Sequence, residues 1–133
     1  LCWAYSQTMV EDYQNKTTKT KTEADKRAKE IAVSVHGSAK WNQGGWPTNS
    51  GDWVYPSNMG DLYYALQNGP VYGYYAGTES AHLVVITGVN LFLGEVYTNN
   101  PWGIAGVQKY EDFLKSFAGG PTTIPFVACI LVN

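Results

Sequence analysis

A chain of 133 residues, 44% hydrophobic and 15% charged, is long enough for one core and too apolar for a disordered protein. Its net charge of −2 provides no basic face for nucleic acid, and no apolar run approaches the roughly 20 residues of a membrane-spanning helix. The two cysteines allow one disulfide at most, so cysteine usage leaves the cellular compartment open. We therefore expect residues 1–133 to form a single domain.

The first part of the chain predicts two helices. Apolar residues recur every three or four positions from residue 2 to about residue 16. Cys2 would lie in the first turn, where free backbone N–H groups and the helix dipole favour a thiolate. A second helix is predicted from about residue 23 to 35, with Thr22 and Asp25 as a variant capping box. For His36, which follows it, we expect a capping or surface role, because a helix C-terminus favours a cation.

Residues 37–57 show no clear periodicity and predict a long loop. This segment contains three of the five tryptophans. Gly44 and Gly45 would let another backbone approach closely, and Trp46 with Pro47 would supply an apolar wall beside them. Loops of this length are often functional, although an ordinary surface loop is the alternative.

The rest of the chain predicts mostly strands. A short helix is expected from about residue 59 to 67, and another from residue 110 to 117. The strands are predicted near residues 71–76, 82–89, 93–99 and 124–132. Cys129 lies in the last strand and is expected to be a buried, unpaired thiol. Helices followed by a mostly antiparallel sheet give an α+β fold.

Three polar residues stand at the ends of these elements. Cys2 opens the first helix, His82 heads an apolar strand, and Asn100 follows the next strand. In this order they are a nucleophile, a base and an orienting group. With the helix packed on the sheet, Cys2 and His82 would face each other across a groove. The alternative for a single cysteine is a small buried apolar residue.

Five segments of the chain resemble the papain-like cysteine peptidases and follow the order of that family. They are Cys2-Trp3-Ala4-Tyr5-Ser6, Asn42-Gln43-Gly44-Gly45-Trp46-Pro47, Gly69-Pro70-Val71, Ala81-His82-Leu83-Val84-Val85 and Asn100-Pro101-Trp102-Gly103. The spacing from Cys2 to His82 is shorter than the roughly 130 residues of papain and its close relatives. In its compact length the chain is similar to bacterial enzymes of this type, such as the leader peptidases of bacteriocin exporters and the secreted effector proteases of plant pathogens.

The resemblance implies a papain-like fold, in which N-terminal helices pack against the sheet and leave the active-site cleft between them. It implies a cysteine endopeptidase that hydrolyses peptide bonds through a thioester acyl-enzyme. Cys2 would be the nucleophile, His82 the base and Asn100 the orienting residue. Trp102 would shield the hydrogen bond between His82 and Asn100 from water.

The resemblance also implies where a substrate binds. Gly44 and Gly45 would bind the substrate backbone as an added strand. An apolar pocket would be formed by Trp46, Pro47, Tyr74 and Leu83. The partner would be a peptide or protein substrate, with a pro-segment or inhibitor as another occupant of the cleft. We expect no metal or other cofactor and a secreted or exported protein, with a cytoplasmic location left open.

One departure from the family leaves other functions open. The family has an oxyanion-hole glutamine six residues before the nucleophile, and only Leu1 precedes Cys2 here. We therefore expect upstream residues in the native chain. A catalytically silent papain-like domain that binds a peptide or partner is one alternative. Acyl transfer by the same three residues, such as transglutamination or deamidation, is another.

Overall fold

The computed structural model describes residues 1–121 and 123–133, which form four helices and six strands. The helices are α1 (Cys2–Asn15), α2 (Lys21–His36), α3 (Met59–Ala65) and α4 (Tyr110–Lys115). The strands are β1 (Ser50–Val54), β2 (Val71–Ala76), β3 (Ala81–Asn90), β4 (Glu95–Asn100), β5 (Ile104–Lys109) and β6 (Phe126–Val132). Within these residues, no helix has the length and apolar character needed to cross a membrane.

The six strands form one antiparallel sheet in the order β1-β6-β2-β3-β4-β5. The β2–β3 hairpin pairs Val71 with Ile86 at one end and Ala76 with Ala81 at the other. The last strand, β6, lies between β1 and β2 and pairs with both. This architecture confirms the expected α+β fold, in which the N-terminal helices pack against an antiparallel sheet.

Helices cover both faces of the sheet and divide the core in two. Along β3, Leu83 and Val85 pack into the core beneath α1 and α2, whereas Val84 and Ile86 pack on the opposite face with residues of α3 and α4. Side chains alternate between faces in a strand, so burial of both faces explains the uninterrupted apolar run in this part of the sequence. The second core also contains Cys129, which is fully buried and unpaired, as predicted.

Three local features differ from the expectations. The capping box of α2 is formed by Thr20 and Glu23, not by Thr22 and Asp25, and its two reciprocal hydrogen bonds start the helix at Lys21. Residues 50–54, predicted as loop, form β1. Residues 104–109, for which no strand was predicted, form β5. Both are edge strands with several exposed side chains, so neither shows the apolar pattern of a buried strand.

Candidate active site

A buried hydrogen bond connects the helix that contains Cys2 to the strand that contains His82. Ser6 Oγ donates to the carbonyl oxygen of Leu83 over 3.2 Å, and the Ser6 side chain is fully buried. Ser6 lies one helical turn after Cys2, and Leu83 follows His82 directly. The bond therefore fixes the position of the cysteine helix relative to the histidine strand.

Cys2 occupies the first turn of α1 and is partly exposed. No side chain caps this end of the helix, so the first backbone N–H groups have no side-chain acceptor among the described residues. These groups and the positive end of the helix dipole stabilise negative charge on a nearby sulfur or oxygen. The location suits both a thiolate and the oxyanion that would form after its attack.

The hydrogen bonds around Asn100 determine which nitrogen of His82 carries the proton. Asn100 Nδ2 donates to the carbonyl oxygen of Ala118 over 2.9 Å, and Asn100 Oδ1 accepts from the backbone N–H of Trp102 over 3.1 Å. With the amide oriented in this way, its oxygen faces His82 Nε2 at 2.8 Å, and Nε2–H must be the donor. The neutral ring then has its lone pair on Nδ1, the nitrogen free to accept a proton from a thiol.

Two aromatic rings flank the His82 imidazole. The ring centroid of Trp102 lies 4.6 Å from that of His82, and the centroid of Phe117 lies 4.3 Å from it. Only 4% of His82 is exposed. Burial lowers the pKa of His82 below its ordinary value because the charged ring would lose its hydration, whereas the hydrogen bond to Asn100 acts in the opposite direction. A negative partner is therefore needed to keep this histidine protonated at neutral pH.

Cys2 and His82 line one cleft of about 430 Å³. The cleft is also lined by five residues expected to bind substrate: Gly44, Gly45, Trp46, Tyr74 and Leu83. Pro47, expected in the same apolar pocket, is buried and does not line the cleft. No hydrogen bond joins Cys2 to His82 within the described residues, and such catalytic contacts are often longer without substrate than with it.

An aromatic cluster forms the wall of the cleft beyond Gly45. Trp46, Trp53 and Tyr74 have ring centroids 5.1 to 5.4 Å apart and meet edge to face. Trp53 comes from β1, one of the two strands that the sequence did not predict, and it packs against Trp46 and Tyr74, which line the cleft. Tyr74 comes from β2. The cluster gives this end of the cleft a large apolar surface.

Sequence reasoning missed four residues around the site. Phe117 and Ala118 contact His82 and Asn100 from the segment after α4, and no local pattern marks them. Trp53 was missed because residues 37–57 were predicted as a loop, whereas it lies in β1. His36, expected as a capping or surface residue, is exposed but also donates from Nε2 to the carbonyl oxygen of Gly44. Among the described residues, no group of three or more histidine, cysteine or acidic side chains could hold a metal ion.

A family model described as papain-like cysteine protease AvrRpt2 matches residues 1–119. The matched range includes α1, α2, α3, α4 and the first five strands. It therefore contains Cys2, His82 and Asn100, together with every residue that lines the cleft. No curated protein and no solved structure gives a significant match.

Proposed function

Because the chain belongs to the papain-like cysteine protease family, we propose that it hydrolyses peptide bonds with Cys2 as nucleophile, His82 as base and Asn100 as orienting residue. The observation that carries this assignment is the hydrogen bond from His82 Nε2–H to Asn100 Oδ1. It leaves the lone pair of Nδ1 as the proton acceptor, in a histidine that shares a cleft with a cysteine at a helix start.

In the first half of the reaction, Cys2 transfers its proton to His82 Nδ1, and the resulting ion pair supplies the charge that the buried histidine needs. The thiolate attacks the carbonyl carbon of the scissile bond. The backbone N–H of Cys2 donates to the oxyanion of the tetrahedral intermediate. His82 Nδ1–H then protonates the leaving amine, the C–N bond breaks, and the acyl group remains on Cys2 as a thioester.

In the second half, water replaces the amine in the cleft. His82 Nδ1 accepts a proton from the water as its oxygen attacks the thioester carbonyl. The C–S bond breaks, the acid product leaves, and the proton returns to the thiol. Asn100 keeps the His82 ring in one orientation through both halves of the reaction. Trp102 and Phe117 restrict the movement of this ring and its contact with water.

The residues around Cys2 favour an extended peptide as substrate. Gly44 and Gly45 present backbone groups to the cleft, which suits a chain that pairs with them as a strand. The apolar wall of Trp46, Tyr74 and Leu83 suits a large apolar side chain next to that contact. The proposed enzyme is thus an endopeptidase that binds the substrate backbone on the acyl side of the scissile bond.

The assignment is tested by labelling and by turnover. A thiol-reactive peptidyl epoxide should label Cys2, as shown by peptide mapping, and should leave Cys129 unlabelled because that thiol is fully buried. Burial raises the pKa of Cys129 to about 12, so this thiol is an internal control. Cys2→Ala and His82→Ala should each abolish cleavage of fluorescein-labelled casein. Cleavage that persists in Cys2→Ala would refute the proposed nucleophile.

A further inference from the structure

Two side chains from α1 and α2 hold the backbone of residues 43–45, a stretch with no regular secondary structure. Trp3 Nε1 donates to the carbonyl oxygen of Gln43 over 3.0 Å. His36 Nε2–H donates to the carbonyl oxygen of Gly44 over 2.8 Å. At Gly45 the backbone lies directly against the Trp3 indole, since a Cβ there would be 2.7 Å from Trp3 Cε2.

The two side chains also contact each other. The rings of His36 and Trp3 meet edge to face, with centroids 5.6 Å apart and planes at 90°. Trp3 is 2% exposed and follows Cys2, so its indole is a fixed point beside the nucleophile. His36 is the last residue of α2, and the chain turns away at Gly37, which has a φ of 75°. The contact with Trp3 thus orients an otherwise exposed imidazole.

His36 acts on the cleft from outside it. Gly44 and Gly45 line the cleft with Cys2, whereas His36 lines neither this cleft nor the adjoining cavity on the other side of Cys2. The ring therefore binds the Gly44 carbonyl from the side away from substrate. Because Gly44 and Gly45 themselves line the cleft, fixing this carbonyl fixes the backbone that a substrate would meet there.

We propose that His36 is a positioning residue for substrate binding, which with Trp3 fixes the Gly44–Gly45 backbone at the spacing from Cys2 that an extended peptide requires. The inference rests on the proposed function, because it assumes that the substrate backbone pairs with this segment. The segment has no ladder hydrogen bonds of its own, so these side chains provide the preorganisation that a strand would otherwise obtain from its neighbours. His36 influences peptide binding and leaves the chemistry at Cys2 unaffected.

Three variants separate the parts of this role. His36→Phe keeps an aromatic ring against Trp3 and removes the donor. His36→Gln removes the ring and keeps an N–H donor. Val35→Ala changes an exposed neighbour on the same helical turn and serves as the control. Each variant is compared with the parent chain in thermal unfolding, in alkylation by iodoacetamide and in reaction with an epoxysuccinyl-leucyl peptide.

The ratio of the two labelling rates is the main measurement. Iodoacetamide needs only the thiolate, whereas the peptidyl epoxide must also bind the backbone of residues 44–45. We expect His36→Phe to reduce the epoxide rate roughly five- to tenfold, about the effect of one neutral hydrogen bond, and to leave the iodoacetamide rate unchanged. His36→Gln should recover part of the loss, and Val35→Ala should match the parent chain. In casein cleavage, the same loss should appear as a raised KM with kcat within about twofold.

Other outcomes would overturn the inference. An unchanged epoxide rate in His36→Phe, or a parallel fall of both labelling rates, would show that His36 has no specific role in peptide binding. If the parent chain reacts no faster with the peptidyl epoxide than with a non-peptidyl epoxide, residues 44–45 do not bind substrate. A parent chain that labels selectively but cleaves no casein would contradict the proposed function, while the labelling ratio would still decide the role of His36.

Discussion

Gly44 and Gly45 are adjacent in the sequence but differ sharply in the space around them. Neither has a φ in the left-handed region, so neither needs glycine for its backbone conformation. A Cβ at Gly44 would meet nothing within 4 Å, whereas a Cβ at Gly45 would lie 2.7, 2.8 and 3.0 Å from three atoms of the Trp3 indole. Alanine at these positions therefore compares an open site with a blocked one.

The size of the Gly45→Ala effect follows from this clash. Carbon atoms in contact prefer separations of about 3.5 to 4.0 Å, so the backbone or the indole must move by roughly 1 Å. Trp3 is almost fully buried and hydrogen-bonded to Gln43, so the segment of residues 43–45 is the part that must move. Overpacking of this kind costs about 1–3 kcal/mol, and a displacement near 1 Å at a binding element can reduce turnover roughly 10²-fold. Gly44→Ala should instead raise the free energy of unfolding by up to about 1 kcal/mol, because alanine gives the unfolded chain fewer backbone conformations than glycine.

Thermal unfolding and peptide turnover test this comparison. For a chain of this length, 1 kcal/mol corresponds to a Tm change of roughly 3–5 °C. Gly45→Ala should therefore unfold several degrees below the parent chain and lose most of its casein-cleaving activity. Gly44→Ala should unfold at or above the parent temperature and lose far less activity. Equal Tm and turnover in the two variants would show that Trp3 does not constrain this segment.

Three further predictions concern the proposed catalytic residues and the buried core. Asn100→Ala removes the hydrogen bond that orients the His82 ring and should lower kcat roughly 10²-fold, which is the lower part of the range for a positioned acid–base group. A kcat near that of the parent chain would show that Asn100 has no part in the reaction. Cys129→Ser places a hydroxyl in an apolar core and should lower the free energy of unfolding by about 1–3 kcal/mol with little change in kcat, both measurable on one preparation. In Cys2→Ala, the folded state lowers the pKa of His82 below its unfolded value near 6.5, so the unfolded chain binds more protons between the two values. The free energy of unfolding should then fall as the pH drops through that window, and His82→Gln in the same background should make this slope shallower in urea titrations.

The elements that could be predicted from the sequence are those whose burial produces a recognisable pattern of apolar side chains. Helix α1 has the apolar periodicity of a helix, and strand β3 has the continuous apolar run of a strand buried on both faces. Cys2, His82 and Asn100 lie at the ends of predicted elements, so their order along the chain could be recognised. The edge strands β1 and β5 could not be predicted in this way, because backbone pairing stabilises them more than burial does. A pattern of apolar residues indicates which side chains are buried, but it does not indicate which backbone groups pair between strands.

Contacts between distant parts of the chain were also beyond sequence reasoning. Phe117 reaches the His82 ring only because the chain returns to the site after α4, and His36 reaches Gly44 only because residues 43–45 pass the end of α2. Their residue types do not distinguish them from an ordinary core phenylalanine and a surface histidine. Such contacts depend on the path of the whole chain, which local spacing does not encode.

The position of β6 between β1 and β2 has a consequence for how this enzyme folds. The strand pairs Ser50 with Val132 and Tyr72 with Ile130, so β1 joins the sheet only through a segment synthesised much later. Contacts so distant in sequence require large loops to close and slow the folding of a domain. We expect the docking of β6 to be a late kinetic step, with the aromatic wall of the cleft incomplete until Trp53 is anchored. A nascent chain that lacks β6 would then possess Cys2 and His82, but Trp46 and Tyr74 in the wall of the cleft would lack the support of Trp53.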